Sequence, residues 1–79
     1  MSEGIDQITN LICRVGGIPA VGPDQDYYQA GVSSVAALKL VMELESTLGL
    51  RIPDERFIAA RTPRAVHELV WRLKQEQKA

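Results

Sequence analysis

Apolar residues recur at helical spacing in three stretches of the chain. Residues 3–15 place Ile5, Ile8, Leu11, Ile12 and Val15 on one face. Residues 34–48 are apolar over a wider arc, and the stretch after Thr62-Pro63 repeats the pattern with Val66, Leu69, Val70 and Leu73. Spacings of three and four residues are typical of helices that face a core. We therefore predict helices over 3–15, over 34–48 and from Pro63 onward.

Shorter sequence signals predict the third helix, the first loop and the ends of the helices. Residues 54–60 predict a brief helical turn anchored by Phe57 and Ile58, and Gly49 is expected to end the helix before it. Glycines and prolines make residues 16–33 a long loop, which Ile18, Val21 and Tyr27 or Tyr28 should pin to the core. Residues 74–79 are expected to fray. The prediction is all-α: a single domain over 1–79, a small four-helix bundle with a short third helix and a long loop between helices 1 and 2.

The helix over 34–48 has more apolar surface than one core contact needs. Ala37, Leu40, Val41, Leu44 and Leu48 share an arc of about 100°. A second stripe beside it, on the side of Ser34, consists of Val35, Leu38 and Met42. Either the helix is buried on two sides or the second stripe is a binding surface. Because 79 residues offer little to cover the stripe, we interpret it as a binding surface.

Composition narrows the class of protein. Nine basic and ten acidic residues give a net charge of −1, which argues against a nucleic-acid surface. One cysteine, Cys13, excludes an internal disulfide and a cysteine metal cluster, and it falls off the apolar stripe as a half-exposed bystander. The N-terminus lacks the pattern of a signal peptide, and no apolar run is long enough for a membrane span. We expect a cytoplasmic monomer.

The chain shows none of the common catalytic constellations. His67 is its one histidine, no Gly-x-Ser-x-Gly elbow is present, and neither metal-ligand spacing nor a glycine-rich phosphate loop occurs. We therefore predict that the protein is not an enzyme and holds no metal.

Two adjacent serines open the second predicted helix. A serine at a helix start is usually a cap, and one cap is sufficient. Ser33 can serve as the N-cap, which leaves the hydroxyl of Ser34 directed outward where helix N–H groups favour a phosphate ester. Gly31 allows a tight turn before them. Ser34 is therefore either a second structural serine or a site of modification.

These residues resemble the motif of acyl carrier proteins, Gly-x-Asp-Ser-Leu, at Gly31-Val32-Ser33-Ser34-Val35. The resemblance covers essentially the whole chain. It continues through Leu38, Leu40-Val41-Met42-Glu43-Leu44-Glu45, Leu48-Gly49, Ile52-Pro53-Asp54 and Thr62-Pro63.

The resemblance implies that Ser34 carries 4′-phosphopantetheine, transferred from coenzyme A by a phosphopantetheinyl transferase, and that the arm holds acyl groups as thioesters. It also implies a loading ligase and downstream acyltransferase or synthase enzymes as partners, contacted through Val35, Leu38, Lys39 and Met42. Ser33 replaces the usual aspartate, and the helix carries few acids, Glu43 and Glu45. These departures favour a specialised carrier in fatty acid, lipid or related biosynthesis over the housekeeping one.

Two alternatives stay open. One is an aminoacyl or peptidyl carrier, which the Ala37-Leu38-Lys39-Leu40 run and Arg61-Thr62-Pro63 also resemble. The other is a plain protein-interaction bundle in which Ser34 is structural. His67 and Trp71, four residues apart, mark either a second contact surface or an exposed pair partly covered by the long loop.

Overall fold

The computed structural model describes residues 2–77, with side chains from residue 4 onward. Four helices occupy this part of the chain: α1 (Ser2–Gly16), α2 (Ser34–Leu48), α3 (Asp54–Ala59) and α4 (Pro63–Glu76). No strand occurs between residues 2 and 77. The predicted fold class, the short third helix and the long first loop are confirmed.

A single apolar core lies where α1 packs against both α2 and α4. Ile12 of α1, Leu40 of α2, and Val66 and Leu73 of α4 are almost completely buried. Tyr27 and Val32 of the long loop join the same core, together with Phe57 of α3. The loop is therefore part of the packed structure, as the sequence predicted from its apolar residues.

Local sequence signals set the helix ends. Gly49 adopts a left-handed conformation with φ of 65° after α2, and its N–H donates to the carbonyl of Glu45 at 2.9 Å. Thr62 caps α4, because its hydroxyl accepts the N–H of Ala65 at 3.1 Å, and Pro63 takes the first helical position. These caps were expected from the sequence alone.

Ile58 was predicted as a core anchor, and that prediction is wrong. Its side chain is 60% exposed, whereas Phe57 is buried. Neighbouring residues on a helix point about 100° apart, so a helix as short as α3 can direct only one of the two at the core.

The predicted fraying of residues 74–79 is also wrong as far as the structure describes them. Helix α4 continues to Glu76, whose carboxylate accepts two hydrogen bonds from Arg56 at 2.8 and 3.0 Å. Gln77 exchanges two hydrogen bonds with the backbone of Arg51, at 2.7 and 3.0 Å. Contacts with distant residues stabilise this end of the helix, and residues 78–79 lie outside the described part.

Candidate functional site

Ser33 and Ser34 have different roles at the start of α2. Ser33 is the N-cap in an extended conformation, and its Oγ accepts the N–H of Ala36 at 3.1 Å. Ser34 is the first residue of the helix, and its side chain is exposed. Both serines are exposed, and they differ in that Ser33 Oγ is engaged in capping, whereas the Ser34 hydroxyl forms no side-chain hydrogen bond with another described residue.

Gly31 forms the turn that precedes this pair. Its φ is 124°, a value that residues with a Cβ rarely adopt, and a Cβ there would meet Cγ2 of Ile18 at 3.1 Å. The next residue, Val32, is buried, and its N–H donates to the carbonyl of Tyr27 at 3.0 Å. The turn thus brings the chain from a buried valine to an exposed serine within two residues.

Tyr27 joins the loop to the connection between α3 and α4. Its ring is fully buried, its hydroxyl donates to the carbonyl of Ala60 at 2.8 Å, and its N–H donates to the carbonyl of Arg61 at 3.1 Å. Burial raises the pKa of the Tyr27 hydroxyl above its ordinary value, so the group stays protonated as a donor. The loop that leads to Ser34 is therefore held by a specific long-range contact.

Two ion pairs span the same junction, and the sequence did not predict them. Asp26 accepts a hydrogen bond from Arg61 at 2.8 Å, and Asp24 accepts two from Arg64 at 2.7 and 3.2 Å. The bonds from these arginines lower the pKa of both carboxyl groups below the ordinary value. The partners are 35 and 40 positions apart in the sequence, so their pairing becomes visible only in the fold.

The second apolar stripe of α2 is open to solvent. Val35 is 67% exposed, and Leu38 and Met42 are each 59% exposed, although the opposite face of the helix is buried. Lys39 is exposed beside them. The alternative in which the helix is buried on two sides is therefore wrong for the described residues.

The acidic character of α2 is lower than the sequence indicates. Glu45 is half-buried, and its carboxylate accepts the N–H of Ile52 at 2.9 Å, where it ties the following segment to the helix. Glu43 remains as the exposed acid of α2. A partner that approaches this helix meets an apolar surface with one lysine and one free carboxylate.

The start of α2 fits a phosphodiester on Ser34. The N–H groups of the first turn have no intrahelical acceptors, and Ser33 satisfies that of Ala36. No acidic side chain stands in the first turn, so the partial positive charge of the helix end is not neutralised there. Ser34 could hold the group covalently, with the N–H groups of Ser34 and Val35 available to its phosphate.

His67 is not placed to activate Ser34. It lies against the N-terminal part of α1, where a Cβ on Gly4 would come within 2.6 Å of its Nε2. The other end of α1, at Gly16, contacts Val32 beside the serine pair. Twelve residues of helix separate these two contacts, which corresponds to about 18 Å. A serine–histidine pair is therefore not formed.

Residues 2–77 contain neither a metal site nor a membrane-spanning helix. No group of histidine, cysteine, aspartate and glutamate side chains there is arranged to hold a metal ion. Within the same range, no helix has the length and apolar character required to cross a bilayer. The monomeric state and the cytoplasmic location stay predictions.

Comparison with known proteins identifies the class of domain to which the start of α2 belongs. A family described as "Phosphopantetheine attachment site" matches residues 6–70. An isonitrile lipopeptide synthase from Mycobacterium tuberculosis is 26% identical over 65 residues, which cover 82% of this chain and 3% of that protein. A probable non-canonical nonribosomal peptide synthetase from Salinispora arenicola is 34% identical over 62 residues, 73% of this chain and 1% of that protein.

The chain thus spans a very small part of these relatives, and the likeness concerns one domain of each. The matched residues include all of α2 and α3 and the serine pair, so sequence and geometry agree on the same region. The chain belongs to the phosphopantetheine attachment family, whose domains carry 4′-phosphopantetheine covalently.

Proposed function

We propose that Ser34 is the attachment residue and that the protein is a thioester carrier of the peptide-synthetase type. The observation that carries this proposal is the division between the two serines: Ser33 is engaged with Ala36, and Ser34 is exposed at the first helical position. When bound, the phosphopantetheine arm supplies a terminal thiol on which an aminoacyl, peptidyl or acyl group is held as a thioester.

The residues of this chain position the arm and leave the chemistry to partner enzymes. On a separate phosphopantetheinyl transferase, Ser34 Oγ would form a bond to the phosphorus next to the pantetheine of coenzyme A while the P–O bond to 3′,5′-ADP breaks and 3′,5′-ADP leaves. The serine proton would pass to a base of the transferase, because His67 is too distant to take it. Gly31, Val32 and Tyr27 hold the turn, so the hydroxyl is presented at a fixed place on the surface. The protein therefore acts as a carrier rather than as a catalyst.

Val35, Leu38 and Met42, with Lys39 beside them, form the proposed docking surface for those partners. These residues follow Ser34 on the same side of α2, so an enzyme that binds them has the arm next to its active site. Because Glu43 is the remaining exposed acid on this helix, apolar contact contributes more to docking here than charge does.

Two observations favour an aminoacyl or peptidyl cargo over a fatty acyl cargo. Both named relatives are synthases or synthetases of peptides by their descriptions. The inward-turned Glu45 and exposed Lys39 also leave α2 without the acidic face expected of a housekeeping fatty acid carrier. The acyl carrier remains the second candidate, because a lipopeptide assembly handles acyl groups as well.

Attachment is tested by incubating the protein with coenzyme A, Mg²⁺ and a broadly specific phosphopantetheinyl transferase. The intact mass of the wild-type protein should rise by one phosphopantetheinyl group, and that of Ser34→Ala should not change. The cargo is tested by offering the modified protein to adenylating enzymes with amino acids in one arm and fatty acids in the other. Thioester formation only with fatty acids would reject the aminoacyl assignment and leave the carrier role intact.

A further inference from the structure

A groove of about 500 Å³ lies between α1, the C-terminal half of α2 and α4. Ile8, Leu44 and Val70 of the core and the half-buried Leu11 and Leu48 make its apolar lining. Thr47 and Leu48, at the C-terminal end of α2, line it as well. Ser34 is at the opposite end of that helix, about 15 Å along its axis from Leu44, the lining residue of α2 nearest to it. The groove is therefore separate from the attachment site.

Trp71 stands at the edge of this groove. It is the one tryptophan of the chain, and 59% of its side chain is exposed. An exposed indole next to an apolar groove is costly to leave in water, and tryptophan is enriched among the residues that dominate binding energy at protein interfaces. His67, one turn earlier on α4, is half-buried and lines the same groove.

The charged side chains that line the groove, among the residues that the structure describes, are all basic. Arg14 of α1 and Lys74 of α4 line it, and its described lining contains no carboxylate. Neither cation forms an ion pair with a described residue, whereas Arg56, Arg61 and Arg64 are each paired. The groove thus combines an apolar lining with two basic side chains that no described residue pairs with.

The shape of the groove favours a peptide segment over a small molecule. Gln7, Asn10, Thr47 and Trp71 on its rim are exposed, as are Arg14 and Lys74, so the groove opens to solvent and is not enclosed. Small-molecule sites usually bury most of their ligand's surface, which an open groove cannot do. An amphipathic helix, in contrast, needs only one face covered.

We propose that this groove, with Trp71 and the cations Arg14 and Lys74, binds an acidic amphipathic helix of a partner protein. Apolar side chains of the helix pack on Trp71 and the leucines, and its flanking carboxylates meet Arg14 and Lys74. Such a partner would hold the carrier while Ser34 and the exposed stripe of α2 remain accessible. Binding does not require the arm on Ser34, so this proposal and the carrier function fail independently.

The test uses a displayed library of 14-residue peptides with a helical apolar stripe and randomised flanking positions. It is selected on the full chain without the arm, and enriched peptides are then synthesised and titrated. Enrichment of acidic flanking residues is expected, with saturable binding and a blue shift of the Trp71 emission. Trp71→Ala should weaken binding at least tenfold by anisotropy of a labelled peptide, and the double variant Arg14→Glu/Lys74→Glu should also weaken it at least tenfold.

Ile58→Ala is the matched control, because it removes an exposed apolar side chain that lies outside both the groove and the α2 docking surface, and it should leave peptide affinity unchanged. All substituted residues are exposed, and circular dichroism checks that each variant folds. Failure to enrich any peptide, enrichment of basic or neutral flanks, or affinity that survives Trp71→Ala would overturn the proposal. Decanoate that binds more tightly than the enriched peptides and competes with them would also overturn the proposal, because it would assign the groove to small amphiphiles. A dimer abolished by Trp71→Ala would assign it to a second copy of the chain and equally overturn the proposal.

Discussion

The serines at the start of α2 should contribute unequally to stability. Ser33→Ala removes the acceptor that holds the Ala36 N–H at 3.1 Å and leaves this donor of the first turn without a protein partner. Loss of a serine N-cap costs about 1 kcal/mol of unfolding free energy. Ser34→Ala replaces an exposed residue at the first helical position by a good helix former, so its effect should stay within about 0.5 kcal/mol.

Urea unfolding followed by far-ultraviolet circular dichroism measures this difference on the unmodified protein. For a chain of this size, about 1 kcal/mol corresponds to a fall of about 4–8 °C in melting temperature. Ser33→Asp is the matched control, since aspartate can accept the same N–H and should restore most of the loss. Equal destabilisation by Ser33→Ala and Ser34→Ala, or none by Ser33→Ala, would refute the assignment of the cap to Ser33.

Three further predictions concern the loop that presents Ser34. Tyr27→Phe should lower the unfolding free energy by about 1–3 kcal/mol in urea titrations, because the buried carbonyl of Ala60 loses its donor, and an unchanged midpoint would contradict this. Gly31→Ala should be destabilised by about 1–3 kcal/mol in the same titration, because its φ of 124° is strained for alanine; a wild-type midpoint would show that the turn relaxes freely. The hydrogen bond from Arg61 holds the pKa of the Asp26 carboxyl below its ordinary value. The stabilisation from this pair is therefore present above the pKa of the unfolded chain and is lost as the pH falls through the lower pKa of the folded protein. Unfolding midpoints from pH 5 to pH 2 should therefore fall more steeply for the wild type than for Asp26→Asn, and parallel curves would argue against the pair.

The helices and their ends were predictable because the signals that define them are local. Apolar spacing indicated α1, α2 and α4, and Gly49 and Thr62-Pro63 marked ends that the structure retains. The cap by Ser33 is likewise a contact between residues three apart. Such features depend on neighbours in sequence, so the sequence alone was sufficient to predict them.

The features that the sequence did not predict depend on contacts between distant residues. Asp26 and Arg61 are 35 positions apart, and their pairing requires the loop to lie on the α3–α4 connection. Glu45 turns inward because Ile52 returns to it, which changes the charge that α2 presents. The groove beside Trp71 needs three helices in place at once. Periodicity places residues on a helix face but does not tell which other element will cover it.

We propose that Ser34, and not its neighbour Ser33, carries the phosphopantetheine arm. The most direct test is tandem mass spectrometry of a peptide that contains both serines, taken from protein treated with coenzyme A, Mg²⁺ and transferase. We expect backbone fragments that separate the two residues and place the whole added mass on Ser34. Added mass on Ser33, or on a residue outside the α2 terminus, would contradict it.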